Sequence, residues 1–94
     1  MGKAEYKVSG GKLIRVKVRK KDGLIEEIKI TGDFFMHPED AIEILEEKIR
    51  YQPLVESSIA KAIAEFLETS KVTLLGASPE DLAKCIVMAG EEDG

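Results

Sequence analysis

Tryptophan and asparagine are absent from this 94-residue chain, and cysteine, histidine and glutamine occur once each. A lone cysteine excludes an intramolecular disulfide framework and any multi-cysteine zinc or iron–sulfur site. The single histidine, His37, has no second histidine or cysteine beside it, so neither a metal-ligand spacing nor a Ser–His–acid arrangement can be drawn. Long apolar runs are missing too. None approaches the ~20 residues needed to cross a bilayer, and no signal-peptide core opens the chain. A soluble, cytoplasmic protein without a membrane partner is expected. Aromatic residues make up only 5% and the net charge is −4, which leaves little for base stacking and argues against nucleic acid. What is present is a hydrophobic fraction of 44%, too high for a disordered chain. The length fits one domain, residues 1–94, with one modest core.

Charge is divided along the chain. Residues 1–30 hold nine basic and four acidic side chains, whereas the remainder holds five basic and fourteen acidic ones. Such a dipolar surface has two readings. In one, two solvated faces attract one another and keep the protein soluble. Alternatively a basic sheet face meets a phosphate-bearing ligand or an acidic partner.

The first third alternates with period two. Ile14, Val16 and Val18 interleave with Arg15, Lys17 and Arg19, which predicts a strand with one buried and one wet face. Asp22-Gly23 supplies the next turn, and Leu24 to Thr31 the next strand, with Ile28 and Ile30 inward. Upstream, Tyr6 and Val8 flank Lys7, and Gly10-Gly11 turns that strand into its neighbour. The expected result is a three-stranded antiparallel meander over about residues 4–31, apolar on one face. Helices must cover that face. Pro38, Glu39 and Asp40 predict a helix start, with Ile42, Leu45 and Ile49 inward and Glu43, Glu46, Glu47 and Arg50 in water. A second helix carries Ile59, Ile63, Phe66 and Leu67 on one stripe, with Ser57 or Ser58 as candidate caps. A third opens at Ser78-Pro79 and ends at Gly90, leaving Glu91 to Gly94 as a frayed tail. The expected fold class is α+β, a three-stranded sheet followed by three helices (about 38–50, 56–68 and 79–89) packed on one face. Leu74-Leu75-Gly76 is a connector anchored by its leucines.

Several segments are candidates for function. Gly32-Asp33-Phe34-Phe35-Met36-His37-Pro38 places two phenylalanines and a methionine between a strand and a helix. They cannot all point into one core. Either Phe34 and Met36 fill the core edge while Phe35 staples the helix entry, or the segment docks on another protein. Asp33 could satisfy backbone N–H groups of its own turn. Gly10-Gly11-Lys12 allows close backbone approach beside a positive charge, but it lacks P-loop spacing and precedes a strand, so a plain hairpin turn competes with phosphate contact. Cys85 lies on the apolar stripe of the last helix and reads as a small hydrophobe unless it is exposed near positive charge. His37 fits a capping or exposed role. No segment constitutes an active site by itself.

Two motifs carry a family resemblance. Lys7-Val8-Ser9-Gly10-Gly11-Lys12-Leu13-Ile14-Arg15-Val16, followed by Ile28-Lys29-Ile30-Thr31-Gly32-Asp33-Phe34-Phe35, closely resembles the C-terminal accessory domain of lipoate–protein ligases. The likeness extends over nearly the whole chain, and a free-standing domain of this length is similar to the small subunit of the two-part ligases of archaea. It implies the fold of sulfur-transfer and iron–sulfur scaffold proteins. It implies a separate catalytic subunit as partner, which holds lipoate, ATP and magnesium, with no cofactor bound by the accessory part alone. The joint reaction would make lipoyl-AMP and then transfer lipoyl to a lysine of a carrier domain. No stretch matches the family's catalytic lysine or lipoate pocket. On that footing Gly10, Gly11, Lys12, Gly32, Asp33, Phe34, Phe35 and His37 form the expected closing face toward the partner, with no catalytic residue. The competing expectation is a stand-alone sulfur acceptor using Cys85. A third is an anion-binding module using the basic sheet face.

Overall fold

The computed structural model describes residues 1–93. Three strands form an antiparallel meander, β1 (Gly2–Lys7), β2 (Leu13–Lys21) and β3 (Leu24–Gly32), in spatial order β1-β2-β3. Ile14, Val16 and Val18 are sealed inside while Arg15, Lys17 and Arg19 face out, as period-two alternation requires. Asp22 and Gly23 both take positive φ, 54° and 77°, giving the tight two-residue turn between β2 and β3. A bulge then places Glu26 without a partner, since Arg19 pairs with Glu27 and Lys20 with Ile25. The extra residue shifts the phase of β3, so that Ile25 and Ile30 both point into the core despite their odd spacing.

Two further strands, β4 (Phe35–His37) and β5 (Thr73–Leu75), make a separate antiparallel pair that was not expected. The helices are α1 (Ala41–Lys48), α2 (Glu56–Thr69) and α3 (Pro79–Glu92). The α+β class stands, with corrections. Helix α1 starts at Ala41 rather than Pro38, because the Pro38 carbonyl accepts from the Ala41 N–H in a turn that precedes the helix. Helix α2 is preceded by Val55, with no side-chain cap, so neither Ser57 nor Ser58 serves. Helix α3 opens as expected on a Ser78–Asp81 capping box but runs through Gly90 to Glu92. Gly90 is buried, and a Cβ there would lie 2.8 Å from the Leu54 side chain, so the glycine makes room for packing rather than ending the helix. Nor is the segment after it loose, since Asp93 accepts a 2.7 Å hydrogen bond from the Lys20 N–H. Gly94, the last residue of the expected tail, lies outside the described residues.

The layers are also more graded than one sheet under three equal helices. Helix α3 lies over β1 and β2, α2 packs along α3, and α1 borders β3 and β4. Ile14, Ile25, Leu45, Ile49, Ile59, Ile63, Leu82 and Ile86 fill the interior with no measurable exposure.

Helix α1 and the chain after it also close the outer edge of β3. The Ile25 N–H donates to the Gln52 carbonyl, the Tyr51 N–H to the Ile25 carbonyl, and the Leu54 N–H to the Gly23 carbonyl. Arg50 Nε donates to the Glu26 carbonyl at 3.0 Å, and the Ile30 N–H donates to Glu46 Oε2 at 2.7 Å. Glu46 and Arg50 therefore serve the strand edge rather than facing water, which is how an edge avoids unpaired backbone groups. Burial holds the Glu46 carboxyl above its ordinary value of 4.5, against the opposing pull of the Ile30 N–H and Lys29, and Glu43 and Glu47 push the same way as burial. A raised folded-state value means that the stability contributed by protonated Glu46 is complete below about 4.5 and is lost as pH rises through the folded value. Glu46→Ala should lower stability at neutral pH by about 1–2 kcal/mol by orphaning the Ile30 N–H. Glu46→Gln, which keeps an acceptor without the charge, should hold or raise it. Urea unfolding at several pH values checks both.

Candidate functional site

The expected closing-face residues fall at one end of the molecule, where the β1–β2 turn meets the start of β4. Gly10 and Gly11 take φ of 100° and 91° in that exposed turn, and the Val8 N–H donates to the Lys12 carbonyl at 2.7 Å. The Asp33 N–H donates to the Leu13 carbonyl at 2.8 Å, joining the two segments through backbone. Gly32 has to be glycine, since a Cβ there would overlap the Leu13 carbonyl oxygen and press on the Phe34 ring. The Asp33 carboxylate is exposed and, among the described residues, accepts no hydrogen bond from its own turn. The stem of Lys12 runs beside Gly76, 3.5 Å from where a Cβ on that glycine would sit, and Gly76 in turn lies against Phe34.

The two phenylalanines part company. Phe34 is 8% exposed and belongs to the core, whereas Phe35, the first residue of β4, is 53% exposed. Phe34, expected on the closing face, thus turns inward, and its ring lies against Gly32 beneath the segment. Met36 is buried, as period two along β4 dictates. Phe35 does not staple the entry of α1. Its ring stacks on His37 with centroids 6.2 Å apart and planes 8° from parallel. Across the strand pair Phe35 faces Leu75, which is 57% exposed, and His37 faces Thr73. Leu75 was expected to anchor its connector, yet Leu74 takes the inward position and Leu75 stands outside beside Phe35. Leu75 is the residue that sequence reasoning missed. A three-residue strand contains a single alternation, too little to tell which of two adjacent leucines turns inward.

The result is a small strip in which exposed Phe35 and Leu75 stand together with His37 stacked on the ring, carried on backbone hydrogen bonds, with the Lys12 stem beside the neighbouring Gly76. Its chemistry is that of contact. Among the described residues no group of three or more His, Cys, Asp or Glu side chains converges to hold a metal ion, and no helix is long and apolar enough to cross a membrane.

Cys85 is elsewhere and sealed. It has no measurable exposure, and its thiol lies 3.6 Å from the Ala4 carbonyl and 3.7 Å from the Ile14 carbonyl. Burial, with Glu5 adding to it, pushes the thiol up to about 11 from 9.0. A sulfur acceptor needs the opposite, an exposed thiolate. Iodoacetamide at pH 8 should therefore label native protein slowly and urea-unfolded protein fast. Rapid native labelling would restore the sulfur-transfer reading. The same shift fixes a sign: the unfolded chain loses the Cys85 proton first, so stability falls as pH rises from about 9 through about 11.

Comparison with known proteins places these features in a family. The family model of the bacterial lipoate protein ligase C-terminus matches residues 3–86. Lipoate-protein ligase A subunit 2 of Thermoplasma acidophilum is 36% identical over 74 residues, which span 79% of this chain and 76% of that protein. Among solved structures, a chain from an archaeal lipoylation system of Thermoplasma acidophilum, described as a bi-partite lipoate protein ligase and its E2 lipoyl domain, superposes with a TM-score of 0.76. That chain is 33% identical, and the match covers 89% of this chain and 91% of that one. With the family model spanning both the glycine-lysine turn and the Gly32–Phe35 segment, the chain belongs to the lipoate–protein ligase C-terminal domain family.

Proposed function

We propose that this chain is the accessory subunit of a two-part lipoate–protein ligase. With a separate catalytic subunit it supports ATP-dependent activation of lipoate to lipoyl-AMP, before transfer to a lysine of a lipoyl carrier domain. The observation that carries this reading is the exposed Phe35–Leu75 pair on β4 and β5, in a chain of the ligase C-terminal domain family.

Activation requires the lipoate carboxylate and the ATP α-phosphorus to be held in line in a site from which water is excluded, because positioning and electrostatics supply most of the acceleration. In this reading lipoate, ATP and magnesium are held by the catalytic subunit. The accessory subunit closes over them. Phe35 and Leu75 form the apolar centre of the contact, Gly32 and Phe34 fix the angle of β4, and Lys12 brings an ammonium toward phosphate. Gly10, Gly11, Asp33 and His37 complete the same end. Closure that opens again for the transfer step suits a contact of modest area. Kinship with the sulfur-transfer and iron–sulfur scaffold folds, drawn from the same family resemblance, belongs to this proposal as well.

The direct test measures lipoate-dependent pyrophosphate release by the catalytic subunit with and without this chain. Release that requires both proteins is the expected result. Equal release by the catalytic subunit alone, or release by this chain alone, would overturn the assignment.

A further inference from the structure

Antiparallel register puts three like charges side by side on the face of the sheet away from the helices. Lys3 pairs with Lys17, and Lys17 pairs with Lys29, so one lysine from each strand forms a row straight across β1, β2 and β3. All three are exposed. Directly opposed like charges destabilise a sheet, so the cross-strand pairing itself does not favour this row. The flanking rows are arranged differently. Arg15 Nε donates to Glu5 Oε2 at 2.8 Å and Arg19 Nη1 to Glu27 Oε1 at 3.0 Å, which neutralises both arginines within the face. Among the described residues no carboxylate forms an ion pair with Lys3, Lys17 or Lys29. Lys29 shares a shallow pocket with Glu27, Glu43, Glu46 and Glu47, and Lys3 shares one with Glu5, Glu91 and Glu92, while Lys17 at the centre of the row lines neither. A trough of about 400 Å³ runs between Lys3, Glu5, Arg15 and Lys17.

Given the ligase role proposed above, we infer that the Lys3–Lys17–Lys29 row is a docking surface for a carboxylate-rich face of the lipoyl carrier domain. Three observations select a transient acidic protein as occupant. The row itself contains no apolar side chain, so it lacks the hydrophobic centre that the Phe35–Leu75 strip offers the catalytic subunit elsewhere. Unpaired charge in a row steers encounter and sets its rate more than its lifetime, which suits a carrier that must arrive and leave at each turnover. Finally the three strands offer no aromatic side chain on this face, since Tyr6 lies on the helix side with Lys84 over its ring. A single strand of nucleic acid would therefore find nothing to stack on.

The test uses the two-subunit ligase and its carrier, comparing the native chain with the triple variant Lys3→Glu/Lys17→Glu/Lys29→Glu and with the neutral triple Lys→Gln variant. Circular dichroism and melting first establish that both variants fold. Lipoyl-AMP formation without carrier should stay at the native rate. The kcat/KM for carrier should fall roughly tenfold or more in the Glu variant and less in the Gln variant, with kcat at saturating carrier preserved. Its salt dependence should flatten. Unchanged kcat/KM for carrier overturns the inference, as does a parallel loss of lipoyl-AMP formation, which would give the row to the catalytic subunit. Polyphosphate or RNA binding, or self-association, that disappears in the Glu variant while carrier kinetics do not change overturns it equally. Should the native chain fail to stimulate lipoyl-AMP formation, the ligase reading fails first. Salt-dependent binding of carrier to the native chain alone, lost in the Glu variant, then still reports on the row.

Discussion

Phe35→Ala should sharply reduce lipoyl-AMP formation by the two-part ligase while leaving transfer from preformed lipoyl-AMP intact. The ring is more than half exposed, stands opposite Leu75 and stacks on His37, so truncation disturbs no core contact. Stability should change by no more than about 0.5 kcal/mol, as for other surface substitutions. The effect belongs to association. A central aromatic anchor in a protein contact contributes about 2 kcal/mol or more, which is roughly a 30-fold loss of activation at subunit concentrations below saturation. Raising the concentration of the variant should recover part of the rate. Both half-reactions are measurable separately, by pyrophosphate release and by acyl transfer to the carrier. Equal loss in both would remove Phe35 from the closing face, and no loss in either would remove the strip from the reaction altogether.

Its neighbour should behave in the opposite way. Phe34→Ala is expected to destabilise the fold by about 3–4 kcal/mol, because a buried phenylalanine leaves both lost burial and a cavity. For a domain of this size that lowers the melting temperature by roughly 15 °C or more. The Phe34 ring sits under Gly32 and its Cβ beside Gly76, so the loss is structural first. At a temperature where the variant remains folded, activation should be reduced less than by Phe35→Ala. Calorimetry beside the activation assay separates the two residues. A Phe34 variant of native stability would contradict the packing of this end of the molecule.

These paired outcomes also mark where sequence reasoning reached and where it stopped. The meander was legible because nine-residue strands repeat their alternation several times, and Asp22-Gly23 dictates its turn locally. The start of α3 was legible for the same reason, since Ser78, Pro79 and Asp81 act within one turn of helix. What escaped depends on contacts made at a distance. Glu46 resembles any carboxylate on a wet helix face until β3 brings the Ile30 N–H to it. The strands β4 and β5 exist only because each finds the other across two intervening helices. The rule that Phe34, Phe35 and Met36 cannot all face inward was sound, but it did not say which would turn out. That was decided by Leu74, Leu75 and Gly76, far along the chain. The lysine row was hidden similarly, as a high basic count in residues 1–30 that becomes a row only once the register is known.

The order of assembly follows from that last dependence. The hairpins of the main sheet close short loops and can form early, whereas joining β4 to β5 closes a long one and gains only three residue pairs. The β4–β5 pair is therefore expected to be the last part of the molecule to assemble and among the first to open, with its amides exchanging hydrogen before those of the main sheet. A strand pair of this kind can adjust its angle while the isoleucine-filled interior behind it stays in place.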